Sequence, residues 1–289
     1  MTTVYLNGDF IAKDRAAIAV DDRGFLFGDG IYDVVRVIDG QLFEWHAHAE
    51  RMAHSLAGLR IEIGADRIAA LEGVCQRLIH DNGLAGDGAT VYLAVTRGAA
   101  PRTHGFPPPG TPPTVFVSAS RFVERRELKH GGCQAITAED LRWARCDWKT
   151  LNVLGSVLAR QAAAEAGAYE AILVRDGLIT EGAASTVFAV VDDVVRTHPL
   201  STRILPSVTR KLVLGCAAEL GIAVREVAMT QAELLGAAEI MICGTTTDVM
   251  PVVRLDGRPV GAGSPGPIAT RLRDAFDARL YPRNPRESK

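Results

Sequence analysis

Apolar and polar positions along the 289-residue chain change period many times, and each change marks out an element. Val4, Tyr5 and Leu6 lead into Asn7-Gly8 and then Phe10-Ile11, the pattern of two short strands closed by a tight turn. A run over 31–38 predicts a longer strand that turns at Asp39-Gly40 into Leu42-Phe43. From His46 the period lengthens, and Ala49, Met52, Leu56 and Leu59 share one face of a helix. A second helix is predicted over 66–80, ending at Asn82-Gly83, with strands over 90–96 and 114–119. Between those strands lie the loop RGAAPRTHGFP (97–107) and the stiff stretch PPPGTPP (107–113). Composition turns from apolar to charged at RFVERRELKH (121–130), so a domain boundary is expected near residue 120.

Beyond that boundary Leu151, Leu154, Leu158 and Ala162 recur at helical spacing, which predicts a helix with one buried face that ends near Gly167. Lys149 then falls near a strand-to-helix corner. A strand over 171–174, a turn at Asp176-Gly177 and a return strand over 178–180 place Glu181 at a strand end, and another strand follows in 182–191. In ILPSVTRKLVLGCAAEL (204–220) a proline and Ser207 precede Val208, Leu212 and Cys216, an ordinary helix start. A strand over 239–243 runs into GTTTD (244–248), then a strand over 251–255, an Asp256-Gly257 turn and a last helix over 267–280. Strands and helices alternate without an internal repeat, as in a mixed α+β or α/β protein.

Charge and cysteine content narrow the function more than they shape the fold. Formal net charge is -2 with both signs interspersed, so no basic surface for nucleic acid or anionic membrane is expected. No apolar run has the length of a membrane span, and the first ten residues lack the basic and apolar regions of a secretory leader, which favours a cytoplasmic location. The five cysteines (75, 133, 146, 216, 243) are odd in number and far apart, as expected of reduced, buried fillers. His46, His48 and His54 do not converge at any spacing that one helix could use for a metal.

Several residues carry candidate chemistry. Lys149 lies among Trp143, Cys146, Trp148 and Leu151, where partial desolvation and the cations Arg142 or Arg145 would favour a neutral amine able to attack a carbonyl. Glu181, buried between strands, needs a cation or hydrogen-bond donor beside it. Arg102 and His104, two apart on a stiffened loop, suit capture of one carboxylate, although a solvated loop has the same look. The amides around Val208, with the Thr209 hydroxyl, and the glycine and hydroxyls of Gly244 and Thr245 offer two anion-binding turns. Tyr32 fits a core position as well as a pocket. A Schiff-base lysine, a strand-end acid and phosphate-binding turns are together what pyridoxal 5′-phosphate requires.

Taken in order, DRGFLFGDGIYDVVRV, VTRGAAPRTHGFP, DLRWARCDWKTLNVLGSVLA, YEAILVRDG with ITEGAASTVF, and the pair ILPSVTR and GTTTDVMPV resemble the class IV, or fold type IV, aminotransferases over nearly the whole chain. The resemblance implies a two-domain fold, with a small N-terminal α/β domain (1–120), a larger C-terminal pseudo-barrel domain that binds the cofactor (121–289), and the active site between the two. It implies that Lys149 is the Schiff-base lysine and proton shuttle, and that Glu181 pairs with the pyridine nitrogen. Arg51, Val208, Thr209, Gly244 and Thr245 would surround the phosphate, and Leu205 would pack on the ring. Tyr32, Arg102 and His104 would hold the substrate carboxylate, with the 102–104 loop contributed by the other subunit of a homodimer. Amino acids and 2-oxo acids, as small molecules, would be the partners.

Where the family often has EGSSSNVF this chain has Ala183, Ala184 and Thr186, and Gly244 stands at a common serine position. Activity on D-alanine and D-glutamate is expected from the Arg102 and His104 pair. An (R)-selective amine transaminase, a branched-chain L-amino-acid aminotransferase, a 4-amino-4-deoxychorismate lyase and a silent cofactor-binding protein are the alternatives.

Overall fold

The computed structural model describes residues 2–86 and 88–282. These residues group into two compact units, one of 2–86 and 88–123 with 148–152 and one of 124–147 with 153–282. The short stretch around Lys149 therefore packs with the first unit although the chain on either side of it belongs to the second.

The first unit contains β1 (Thr3–Leu6), β2 (Asp9–Ala12), α1 (Arg23–Phe27), β3 (Gly30–Ile38), β4 (Gln41–Leu42), α2 (Trp45–Leu59), α3 (Ala65–Asp81), β5 (Ala89–Thr96) and β6 (Thr114–Arg121). Among the described residues its strands form one six-stranded antiparallel sheet in the order β2-β1-β6-β5-β3-β4. The Asn7-Gly8 and Asp39-Gly40 turns both take positive φ, as the sequence requires of tight hairpins. One face of β3 presents Ile31, Val35 and Val37 to Met52 and Leu56 of α2 and to Leu71, Cys75, Leu78 and Ile79 of α3, all buried in one cluster. Truncating any of its large members to alanine would cost about 2–5 kcal/mol. Helix α1 was not legible as a helix. Asp22 starts it by accepting from Gly24 N–H at 2.8 Å while also receiving the hydroxyls of Thr96 (2.9 Å) and Thr114 (2.6 Å).

The second unit contains α4 (Arg126–Gly131), β7 (Cys133–Glu139), α5 (Leu154–Glu165), β8 (Glu170–Arg175), β9 (Leu178–Gly182), β10 (Thr186–Val191), β11 (Val194–Thr197), α6 (Val208–Glu219), β12 (Val224–Glu226), α7 (Gln231–Leu235), β13 (Glu239–Gly244), β14 (Asp248–Leu255), β15 (Arg258–Pro259) and α8 (Pro267–Leu280). Its sheet among the described residues runs β12-β11-β10-β13-β14-β7-β8-β9, with β15 beside β14. Pairing is mixed, parallel for β7 with β8 and with β14 and antiparallel for β10 with β13. Ile172, Val187, Ile240, Ile242, Met250 and Val252 form its core. Helices packed with one antiparallel and one mixed sheet make this an α+β protein.

Two sequence expectations change here. Lys149 is not at a strand-to-helix corner, because α5 begins only at Leu154. Nor is the predicted leucine stripe buried: Leu154 is 64% exposed, Val157 and Leu158 are each 53% exposed, and Ala162 is exposed as well. Ala159 and Ala163 face inward against Ala171 and Leu173. Small side chains let α5 approach the sheet closely, and the larger ones are left outside. The charged run 121–130, read as a boundary, also contains α4 and the fully buried Lys129, whose ammonium meets Glu124 (2.7 Å), Asp248 (3.0 Å) and Asp277 (2.5 Å). Three carboxylates around one amine outweigh the cost of burial and raise its pKa above the ordinary lysine value.

Candidate active site

In the first unit the backbone of Lys149 is held from two sides. Tyr32 N–H donates to the Lys149 carbonyl at 2.9 Å, Leu151 N–H donates to the Gly30 carbonyl at 2.9 Å, and Thr150 bridges Ile31, so the segment lies along β3 like an added strand. From the other side Lys149 N–H donates to Ser55 Oγ at 3.0 Å, and that hydroxyl donates to the Arg51 carbonyl at 2.9 Å. Trp148 packs on α2 where Gly58 leaves room: a Cβ there would lie 2.2 Å from the indole Cε2. The Lys149 Nζ ends 4.4 Å from the centre of the Tyr32 ring, which stacks on Tyr92. Tyr32 is thus half-buried beside the lysine.

Arg51 is buried on α2 and grips Asp33, with Nε 3.0 Å from Oδ2 and Nη2 2.8 Å from Oδ1. His48 Nδ1 is also 2.8 Å from Asp33 Oδ1. Burial opposes the charge on Asp33, yet the Arg51 charge and the bonds from His48 and Arg51 hold its carboxyl well below the usual range. Asp33 carries a signal in the sequence: it shares the inward parity of Ile31, Val35 and Val37 on a strand, where an acid demands a partner.

Arg102 and His104 stand exposed on their loop, both over Phe27, with the guanidinium carbon 5.2 Å and the imidazole centre 5.8 Å from its ring centre. Arg97 differs from them. It is buried against Asp29 at 2.8 and 2.9 Å and donates to the carbonyls of Leu59 and Arg60.

In the second unit Glu181 sits buried at the end of β9, where Arg142 donates to its Oε1 and Leu205 N–H lies 3.1 and 3.2 Å from its two oxygens. The cation expected beside Glu181 is therefore Arg142, which the sequence suggested as a neighbour for Lys149. Arg142 is itself aligned by Asp140 (2.8 Å to each oxygen). Arg145 is engaged with Asp147 at 2.9 and 2.7 Å. Helix α6 begins as predicted: Ser207 Oγ accepts from Arg210 N–H at 3.2 Å, leaving Val208 and Thr209 on the first turn, both buried. Its buried stripe runs through Thr209, Val213 and Cys216, and Leu212 is only half-buried. Gly244 ends β13 and Thr245 begins the turn into β14, whose first residue Asp248 is bonded by Lys129. Ala183 is buried, Ala184 is exposed, and Thr186 faces Cys243 across β10 and β13. All five cysteines are free and buried.

The pattern of the amino-transferase class IV family matches residues 30–255. The chain belongs to the class IV aminotransferases. Relatives in that family match nearly the whole chain. It is 37% identical over 284 residues to a chain named D-alanine aminotransferase from Staphylococcus haemolyticus, covering 98% of this chain and 100% of that one. It is 41% identical over 275 residues to another of that name from Bacillus licheniformis, covering 94% and 95%. Among solved structures it resembles a branched-chain amino acid aminotransferase from Escherichia coli, with TM-score 0.85, 27% identity and 96% and 93% coverage. A hypothetical aminotransferase from Mycobacterium tuberculosis in its PLP-bound form gives TM-score 0.82, 25% identity and 96% and 98% coverage. As a class IV aminotransferase the chain is a member of a pyridoxal-phosphate enzyme family, and no helix among its described residues is long and apolar enough to cross a membrane.

Proposed function

We propose that the protein transfers an amino group between a D-amino acid, such as D-alanine or D-glutamate, and a 2-oxo acid, with Lys149 as the residue that anchors pyridoxal 5′-phosphate. Full-length similarity to chains named D-alanine aminotransferase carries this reading. The donor set suits the cofactor: a primary amine for its aldehyde, a carboxylate for its ring nitrogen, and a buried guanidinium with a helix start for its phosphate. When bound, the cofactor supplies a protonated ring that accepts the electron pair released at the substrate Cα.

The chain's own groups do the rest in this reading. Lys149 would anchor the cofactor through Nζ, and the same amine would serve as the base that accepts the substrate Cα proton and returns it. Backbone bonds from Tyr32 and to Ser55 restrict where that amine can travel. Glu181, supported by Arg142 and Leu205 N–H, holds a proton on the ring nitrogen. Leu205 would pack on the ring, while Arg51, Val208, Thr209, Gly244 and Thr245 would hold the phosphate. Tyr32, Arg102 and His104 hold the substrate carboxylate, and this orientation decides which face of Cα meets Lys149. In a homodimer the 102–104 loop acts in the other subunit's site. The exposed apolar side chains of Leu154, Val157 and Leu158 support association with a second copy.

The testing experiment is a half-reaction panel of D- and L-amino acids with wild type, Lys149→Ala and Arg102→Ala. Lys149→Ala should purify folded, lose the 2-oxo acid product and retain no cofactor through denaturation after borohydride treatment. Covalent retention in that variant would move the anchor to another lysine, such as Lys211. Removing Arg102 should slow D-alanine by a factor of tens to hundreds, about 2–4 kcal/mol of transition-state binding. The branched-chain reading, favoured by the names of the structural neighbours, wins if L-leucine outruns D-alanine in wild type.

A further inference from the structure

The loop that carries Arg102 and His104 is tethered by a chain of charged groups that the reaction does not use. Arg23, 4% exposed, donates from Nη1 to the carbonyls of Thr103 (2.8 Å) and Gly105 (3.2 Å), the residues on either side of His104. Its Nε donates to Asp29 Oδ2 at 2.8 Å. The same carboxylate takes two bonds from Arg97, whose remaining N–H groups reach the carbonyls of Leu59 (2.7 Å) and Arg60 (2.9 Å) at the end of α2. Carbonyls at a helix end carry partial negative charge and lack partners within the helix, so a guanidinium is well placed there. The tether therefore runs without a gap from the C-terminus of α2, through Arg97, Asp29 and Arg23, to the main chain of the loop.

Phe27 completes the arrangement from below. Its ring lies under Arg102 and His104, and the Arg23 guanidinium carbon is 4.8 Å from the same ring centre. Burial opposes the Asp29 charge, but the bonds and charges of Arg97 and Arg23 outweigh it and lower its pKa. Both of its oxygens are engaged, so the carboxylate fixes two arginines in one geometry.

We propose that Asp29, Arg23 and Arg97 are positioning residues for substrate carboxylate recognition, setting the affinity for amino acids through the placement of Arg102 and His104 without touching substrate. This rests on the reading of Arg102 and His104 as the carboxylate trap. An exposed arginine on an untethered loop would lose orientation entropy on every binding event, and a preformed loop avoids that loss.

The test uses the holoenzyme with Arg23→Gln, which removes the bonds to the loop and leaves Asp29 paired with Arg97, and with Asp29→Asn, each alone and combined with Arg102→Ala. The D-alanine KM of Arg23→Gln should rise about tenfold with kcat within about twofold, and the same substitution should add almost nothing once Arg102 is gone. Trypsin cleavage after Arg102, followed by mass spectrometry, should accelerate about tenfold in Arg23→Gln, a readout independent of turnover. Equal losses with and without Arg102, or unchanged cleavage, overturn the proposal even if Asp29→Asn fails to fold. If Arg102→Ala alone leaves D-alanine unaffected, the trap reading falls and the substrate role of the tether with it, while faster cleavage in Arg23→Gln would still establish the tether itself.

Discussion

At the scale of single residues, the position of Lys149 depends on an absence. The Trp148 ring lies against α2 at Gly58, and alanine there would meet the indole at 2.2 Å. Helix propensity favours alanine over glycine by about 1 kcal/mol, whereas overpacking costs about 1–3 kcal/mol. The clash should win because Trp148 directly precedes Lys149, so a ring displaced from Gly58 shifts the backbone that positions the lysine. Gly58→Ala is therefore expected to lower the urea midpoint and to weaken cofactor retention, both measurable on one preparation. A midpoint equal to or above wild type would mean that Trp148 moves aside freely.

At the scale of elements, two helices make separable predictions. Ser207 caps α6 through Arg210 N–H, and its replacement by alanine should cost about 1 kcal/mol by chemical denaturation. The same change loosens the first turn, where Val208 and Thr209 are proposed to meet phosphate, so the Kd for pyridoxal 5′-phosphate should rise too. Stability lost with cofactor affinity intact would separate the cap from the phosphate grip. On α5 the outward face of Leu154, Val157 and Leu158 is too apolar to be left in water at no cost. Leu158→Glu should shift sedimentation toward a single chain without lowering the melting temperature of that chain. An unchanged mass would show that this face is not where copies meet.

For the whole molecule, acid sensitivity follows from carboxylates paired in the folded state. Burial would raise the Asp140 pKa, but the hydrogen bonds and charge of Arg142, with the Thr180 hydroxyl, hold it down at about 2, against 3.8 ordinarily. A group depressed on folding contributes stability that is complete above its unfolded value and fades as pH falls through the folded one. The contribution, at most about 2 kcal/mol, should thus be intact at pH 5 and mostly gone near pH 2. Asp33 acts in the same sense at still lower pH. Denaturation midpoints at pH 5 and 2.5 should differ less in Asp140→Asn than in wild type. An equal pH response in both would remove Asp140 from the account.

Most of the longer strands and helices, the hairpin turns and the helix start at Ser207 were legible in the sequence, because each depends on residues a few positions apart, whereas the short helices α1, α4 and α7 were not. Legible too was the need for a cation beside Glu181, which follows from the cost of burying an acid. Which cation answered that need was decided by tertiary structure: Arg142 reaches Glu181 across 39 positions of chain. The fate of the α5 stripe was decided there as well, since periodicity shows that a helix has an apolar side but not which surface comes to meet it. Asp33, Lys129 and the Arg23, Asp29 and Arg97 tether were hidden for the same reason. A charged residue looks solvated in sequence until the fold supplies partners of opposite sign, and those partners lie up to 148 residues away, as Asp277 does from Lys129.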